Sequence, residues 1–215
     1  MSSFDDVTSL ASSRSIHTIV HNDASPLTLS RRKTLSDPLA LHHASRDHVY
    51  AGLRCSQVTL EDLRTPNRVA TPNIIATLPA GKAVVAVKRL KDSAVPWGLA
   101  VSGLCNQLLI FDVRYACQPL LELSGHVNSY HTTLAMATSP DDTVVFAGGS
   151  DHRLRAWSTV TGEQLRPPPN DRRSVLSMSY RHLVEHVDIA EDLTVRVAAA
   201  GDILRFAPHH AHPGT

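Results

Sequence analysis

The sequence predicts an all-β repeat protein, and three observations lead to that prediction. Short apolar runs recur along the chain and are separated by polar turns, which is the pattern of short strands. No long stretch has the period of an amphipathic helix. One phrase occurs twice, at residues 49–64 and 99–114, so the chain contains an internal repeat with a period of about 50 residues.

The repeated phrase lies inside a larger unit that holds four short apolar runs. A unit of about 40–50 residues with four strands is typical of one blade of a β-propeller. Residues 38–207 contain about four such units, and we expect a partial β-propeller of about four blades plus a half blade. Seven blades would need roughly 300 residues. A chain of 215 residues is therefore expected to leave the ring open, with an exposed sheet edge at each end.

The N-terminal part, residues 1–37, is expected to form a disordered start and the half blade. Its first 13 residues are rich in serine and aspartate, a composition that disfavours a packed core. Residues 16–20 are rich in β-branched side chains and predict a short strand, and residues 27–29 predict a second. The basic run at residues 31–34 is interpreted either as a kinase recognition site or as a solvated turn.

The four full units follow in chain order. Their predicted strands lie within residues 39–78, 83–123, 134–157 and 175–206. In the last unit we expect strands at 175–178, 195–198 and 203–206, and a loop at 184–193. Residues 208–215 predict a disordered tail.

Composition and charge exclude several classes of function. The net charge of +1 gives no basis for non-specific binding to nucleic acid or to a membrane. No apolar run approaches the roughly 20 residues that span a bilayer, and the N-terminus lacks the pattern of a secretory signal. The three cysteines, Cys55, Cys105 and Cys117, are an odd set without a CxxC pair. An intracellular protein, nuclear or cytoplasmic, fits this usage.

Candidate catalytic and cofactor sites are weak. The sequence has no phosphate-binding glycine loop and no nucleophile motif. His209, His210 and His212 could chelate a metal, but a mobile tail offers them no supporting groups. We therefore expect no enzyme activity, no cofactor and no metal site.

The third unit carries the fullest local motif. It opens with Gly125-His126, places Asp151 in a later turn and Trp157 in the following strand. This order resembles a blade of the WD-repeat family, over roughly residues 38–207. The resemblance implies that His126, Asp151 and Trp157 form a buried hydrogen-bonded network, although Gly148 occupies the place of the family's strand hydroxyl. A catalytic dyad of His126 and Asp151 is the alternative interpretation.

Both copies of the repeated phrase end in Asp-x-Arg, at Asp62 to Arg64 and at Asp112 to Arg114. An aspartate at the end of a strand can cap a tight turn by accepting backbone N–H groups. An arginine two residues later presents a planar set of donors at the rim. Because the copies occupy equivalent positions in adjacent units, the two arginines are expected side by side on one face.

These endings resemble the DWD box of substrate receptors for cullin-4 ubiquitin ligases, although Glu61 replaces the expected aromatic in the first copy. The resemblance implies a protein-interaction scaffold in which Arg64 and Arg114, with Asp62 and Asp112, dock on the adaptor, damaged-DNA-binding protein 1. Three alternatives stay open. Each arginine could pair only with its own rim, the chain could be a WD-repeat scaffold in RNA processing or trafficking, or it could be a truncated fragment without independent function.

Overall fold

The computed structural model describes residues 1–21, 28–65, 72–115, 118–167, 171 and 174–207. These residues form five antiparallel sheets, each a meander in which consecutive strands are neighbours. The tail at 208–215 and Cys117 lie outside the described residues.

The first four sheets have four strands each and the fifth has three. The strands of the first two sheets are β1 (Ser2–Phe4), β2 (Val7–Ser12), β3 (Ser15–Val20), β4 (Thr28–Lys33), β5 (Pro38–His43), β6 (His48–Leu53), β7 (Gln57–Asp62) and β8 (Ile74–Thr77). Those of the third and fourth are β9 (Val84–Arg89), β10 (Gly98–Gly103), β11 (Leu108–Asp112), β12 (Leu121–Glu122), β13 (Met136–Thr138), β14 (Val144–Gly148), β15 (Leu154–Ser158) and β16 (Gln164–Leu165). The fifth sheet consists of β17 (His186–Ile189), β18 (Val195–Ala199) and β19 (Asp202–Phe206).

The apolar core lies between successive sheets. Ile16 of the first sheet packs with Leu53 of the second, and further clusters join the second sheet to the third, the third to the fourth and the fourth to the fifth. Phe111 and Trp157 are the largest of the fully buried side chains. Among the described residues, no core cluster joins the fifth sheet back to the first. The prediction of an all-β, partial and open propeller is therefore confirmed.

The N-terminal segment corrects one expectation, because residues 1–13 are not a disordered start. They form β1 and β2, and with β3 and β4 they complete a four-stranded sheet instead of a half blade. The inward positions of this sheet are partly small polar residues, so its hydrophobic pattern is weak. Ser9 and Thr18 are buried and bond each other, 3.1 Å between the hydroxyl oxygens, and His43 of the second sheet bonds Ser9 at 2.9 Å.

The basic run at residues 31–34 is also corrected, because its first three residues belong to β4 and not to a turn. The Arg32 side chain is buried, and its Nη2 donates a hydrogen bond of 2.5 Å to the carbonyl oxygen of Thr65 in the second sheet. The sequence pattern does not distinguish such an arginine from a solvated one.

The last sheet corrects a third expectation. Its first strand is β17, inside the segment expected as a loop, whereas residues 175–178 form no strand and the first three of them lie in a turn. Val184 and Val187 are buried against the fourth sheet and anchor this strand. The polar and charged residues between them conceal the strand pattern in the sequence.

The loops lie on two opposite faces of the stack. In each four-stranded sheet, the loop between the first and second strands and the turn after the third strand lie at the same end, because the strands are antiparallel. We call this end the Asp-x-Arg face. Contacts between sheets keep these ends together: Arg46 of the second sheet pairs with Asp6 of the first, and the backbone N–H of Lys91 in the third sheet donates to the carboxylate of Asp142 in the fourth at 2.8 Å.

Candidate protein-interaction surface

Two turns of the same geometry follow β7 and β11 on the Asp-x-Arg face. In the first, Asp62 accepts the backbone N–H of Arg64 at 3.0 Å, its Nε at 3.0 Å and its Nη2 at 2.9 Å. In the second, Asp112 accepts the same three donors of Arg114 at 2.9, 3.0 and 2.7 Å. Each aspartate therefore caps its turn and also fixes the plane of the arginine.

The electrostatics of the two turns agree with this geometry. The side-chain hydrogen bond from the arginine lowers the pKa of both Asp62 and Asp112 from the ordinary value. Both pairs are consequently charged at neutral pH.

Both arginines remain accessible, since the side chain of Arg64 is 63% exposed and that of Arg114 is 50% exposed. Their Nε and Nη2 atoms are occupied by the aspartates, while Nη1 has no hydrogen-bond partner among the described residues. The alternative that each arginine pairs with its own rim therefore holds for one edge of the guanidinium, the edge formed by Nε and Nη2. Within the described ranges, the other edge makes no hydrogen bond and can donate to a partner.

The surroundings of the two arginines differ. Beside Arg64 lie the carboxylate of Asp47, 4.0 Å from Nε, and the imidazole of His48, 3.9 Å from Asp62. Beside Arg114 lie aromatic rings. The two turns therefore present different chemistry on the same face.

The aromatic rings belong to Trp97 and Tyr115. The guanidinium carbon of Arg114 lies 5.4 Å from the centroid of Trp97 and 5.6 Å from that of Tyr115. Arg89 at the end of β9 approaches the same Trp97 ring at 5.8 Å. These distances are those of cation–π contacts. We call Arg89, Trp97, Arg114 and Tyr115 the tryptophan cluster.

Trp97 has an unusual backbone. Its φ is 59°, in the left-handed region, which costs a residue with a Cβ about 1–2 kcal/mol. Two hydrogen bonds hold this conformation: the N–H of Trp97 donates to Asp92 at 2.8 Å, and its carbonyl accepts the N–H of Val113 at 3.0 Å. The second bond ties the loop between β9 and β10 directly to the turn that carries Arg114.

Sequence reasoning identified the arginines but missed Trp97, Arg89 and Tyr115. The arginines belong to a repeated phrase, whereas Trp97 lies in an irregular loop that the second sheet does not share. An aromatic residue between Pro96 and Gly98, in a segment of turn-forming residues, was the available signal.

The structure brings His126 and Trp157 together but gives Asp151 another partner. The two rings meet edge to face with centroids 6.1 Å apart, and Nε1 of Trp157 donates to the carbonyl of Ser124 at 2.8 Å. The indole thus fixes the segment just before Gly125-His126. Nε2 of His126 lies 3.4 Å from the hydroxyl of Ser102, and Nδ1 is buried without a hydrogen-bond partner in the described part of the chain.

Asp151 bonds Arg155 through both carboxylate oxygens, at 2.9 and 2.5 Å. The arginine four residues later therefore takes the place that the resemblance gave to His126. No hydroxyl fits at Gly148, because a Cβ there would lie 2.9 Å from the carbonyl oxygen of Val184. With Asp151 engaged in this way, the arrangement is not that of a catalytic dyad.

Other kinds of site find little support in the described part of the chain. No group of three or more histidine, cysteine, aspartate or glutamate side chains lies close enough there to hold a metal ion. Likewise, none of the described segments forms a helix that is long and apolar enough to cross a membrane. Cys55 and Cys105 lie exposed in equivalent turns and are not joined to each other.

Comparisons with known proteins show what the chain is similar to. No protein-family model matches the chain. A WD repeat-containing protein of Caenorhabditis elegans, described as uncharacterised, is 29% identical over 146 residues. The match covers 66% of this chain and 25% of the relative, so the chain spans about a quarter of that relative's length. The crystal structure of the computationally designed Ika4 protein is similar with a TM-score of 0.58 at 18% identity, covering 80% of this chain and 92% of that one.

The two similarities carry different weight. The designed protein shows the fold alone. The nematode relative supports a WD-repeat identity for this chain and, at the level of the class, a generic protein-interaction scaffold. The exposed and rigid Asp-x-Arg turns are the feature of the surface that such a scaffold could use.

Proposed function

We propose that this protein is a substrate receptor of a cullin-4 RING ubiquitin ligase and that it docks on the adaptor, damaged-DNA-binding protein 1, through the Asp-x-Arg face. The observation that carries the proposal is the pair of matching turns at Arg64 and Arg114, in each of which one guanidinium edge is fixed by an aspartate while the arginine side chain remains at least half exposed. The receptor has no chemistry of its own. It holds a substrate near the ligase while the adaptor holds the receptor.

The physical support is preorganisation. An arginine normally loses side-chain freedom when it binds, and that loss weakens association. Asp62 and Asp112 already hold these side chains in one plane, so a partner meets donors that are in position. Two such donors on consecutive sheets also restrict the orientation in which a partner can dock.

The identity of the adaptor in this proposal comes from the resemblance of both turns to the DWD box. Both turns have the Asp-x-Arg ending of the DWD box, and residues 99–114 match that box more closely than residues 49–64. The order of motifs from residue 36 to residue 207 is similar to the C-terminal half of WD-repeat protein 21, a cullin-4-associated factor. An intracellular location, nuclear or cytoplasmic, belongs to the same proposal.

The test is co-purification of the adaptor with the full chain and with the double variant Arg64→Ala/Arg114→Ala. We expect recovery of the adaptor to fall at least about tenfold, since charged anchors at interfaces often contribute that much. Arg196→Ala is the matched control, because Arg196 forms an exposed ion pair with Asp188 in the fifth sheet, away from both turns. Equal recovery with wild type and the double variant would exclude the docking role, provided that circular dichroism shows both folded.

A WD-repeat scaffold in another complex, for example in RNA processing or trafficking, is the second candidate. The bonds of each arginine to its own aspartate favour it, because a purely structural arginine would have the same geometry. Partners recovered from cells without the adaptor, and equally with wild type and the double variant, would support this candidate.

A further inference from the structure

Trp97 is unfavourable for the isolated fold in two ways. Its backbone is in the left-handed region, where glycine or asparagine would be unstrained. Its side chain is 45% exposed and belongs to none of the core clusters. Neither hydrogen bond that holds the loop uses the indole, because both are made by the backbone. The hydrogen bonds of the loop therefore require the conformation of residue 97 but not its ring, which lies against the guanidinium groups of Arg89 and Arg114.

The position of the Trp97 ring suits it to contact a partner protein. It lies against the guanidinium of Arg114, on the Asp-x-Arg face, and Tyr115 contacts that guanidinium as well. Exposed tryptophan, tyrosine and arginine side chains in contact form the composition that dominates binding energy at protein interfaces. The corresponding arginine in the second sheet, Arg64, has Asp47 and His48 beside it instead.

We propose that Trp97 is the anchor residue of the docking face, and that its ring enters an apolar cleft of the adaptor next to an oxygen that accepts a hydrogen bond from Nη1 of Arg114. This inference rests on the proposed function, because the adaptor is the partner. It adds an asymmetry: the third sheet supplies most of the binding energy, and Arg64 in the second sheet is an orienting contact.

One variant, with a matched control, separates the role of the ring from that of the fold. Trp97→Asn keeps a residue that tolerates positive φ and removes the ring, so the melting temperature is expected to stay the same or to rise. Its affinity for the adaptor, measured by titration calorimetry with the full chain, is expected to fall about tenfold or more. Tyr130→Asn is the matched control, because Tyr130 is an exposed aromatic near Asn128, whose backbone N–H bonds Asn106 in a turn of the opposite face.

A spectroscopic measurement reports on the ring itself. The chain contains two tryptophans, and Trp157 is fully buried. Incorporation of 5-fluorotryptophan therefore gives two fluorine resonances, which the Trp97→Asn variant assigns. Adding unlabelled adaptor is expected to shift the Trp97 resonance and to abolish its solvent isotope effect, while the Trp157 resonance stays in place.

The outcomes distinguish this inference from the function on which it rests. If wild type does not bind the adaptor at all, both proposals fall. If wild type binds, and Trp97→Asn binds equally with no change in the Trp97 resonance, the anchor is excluded while the docking role of the arginines stands. If Arg64→Ala weakens binding more than Trp97→Asn does, the asymmetry is wrong.

Discussion

The imidazole of His126 is buried between the third and fourth sheets and is held in its neutral form. Burial, together with the positive charge of Arg155, lowers its pKa from 6.5 to about 4. Its Nδ1 has no hydrogen-bond partner among the residues that the structure describes, so protonation of the folded protein would add a poorly compensated buried charge. Acid should therefore act on stability through this residue.

We predict that the free energy of unfolding falls as the pH drops from about 6.5 to about 4. In that range the unfolded chain binds a proton at position 126 and the folded protein does not, so stability rises with pH. His126 alone contributes about 3 kcal/mol across this window, by the rule of about 1.4 kcal/mol for each unit of pKa. Below pH 4 its contribution to the slope disappears.

Urea unfolding at pH 7, 6, 5 and 4 measures this dependence. His42 also has a pKa lowered to about 4, chiefly by burial, and adds to the slope of the wild type. The variant His126→Gln isolates the contribution of one group. Its free energy of unfolding should depend on pH less steeply than that of the wild type, and the difference is the contribution of His126. An unchanged slope in His126→Gln would show that the imidazole titrates normally in the folded protein.

Single residues of the site differ in how far the sequence could identify them. Asp62, Arg64, Asp112 and Arg114 were predicted because a repeat with a fixed period aligns them. The partner of Asp151 could not be read in the same way. Whether a carboxylate bonds a histidine or a nearer arginine depends on side-chain geometry in three dimensions. Asp151 bonds Arg155 because this arginine donates two hydrogen bonds at once.

At the scale of the element, β4 is an edge strand of the first sheet that contacts the second sheet through one buried charged side chain, that of Arg32. Arg32 reaches from this strand to the carbonyl oxygen of Thr65, next to Arg64. The first sheet contributes few large apolar residues to its contact with the second, where Ile16, Ala51 and Leu53 form the buried cluster. A charged hydrogen bond at this contact is therefore expected to matter.

We predict that Arg32→Ala lowers the free energy of unfolding by about 1.5–3 kcal/mol, the range for hydrogen bonds to charged groups. Lys33→Ala is the control, since Lys33 is the next residue of β4 and is exposed; its effect should stay within about 0.5 kcal/mol. Chemical denaturation gives both values, and hydrogen exchange should show faster exchange in β3 and β4 of the Arg32 variant. Equal stability of the two variants would contradict the role assigned to Arg32.

For the whole molecule, the sequence predicted the blades whose strands are apolar. It missed strands in which polar residues occupy many positions. The third sheet has continuous buried runs in β10 and β11, and the second sheet has a nearly continuous one in β6, so their positions follow from the pattern. The first sheet buries Ser9, Ser15 and Thr18, which are favourable only because hydrogen-bond partners lie within reach. The partners of Ser9 and Thr18 come from other strands, so a single sequence does not reveal them.

The fifth sheet shows what an open propeller leaves uncovered. In the other sheets the third strand lies between two neighbours, whereas β19 pairs only with β18 among the described residues. Ile203 is 75% exposed, and Leu204, which points to the other face of the sheet, is exposed as well. The strand thus presents a free edge and apolar side chains together, which favours pairing with another chain.

We predict that Ile203→Lys reduces the concentration-dependent self-association of the isolated chain, because a charge on an edge strand opposes the approach of a second edge. Stability should change by no more than about 0.5 kcal/mol, since the side chain is exposed. Val160→Lys is the matched control, because Val160 is an exposed apolar residue in the turn after β15 and not on the free edge. Light scattering across a concentration series compares the three proteins. If Val160→Lys suppresses association as strongly as Ile203→Lys does, the added charge and not the edge of β19 is responsible. If the wild type stays monomeric at every concentration, the exposed edge of β19 does not pair with a second chain and the prediction is wrong.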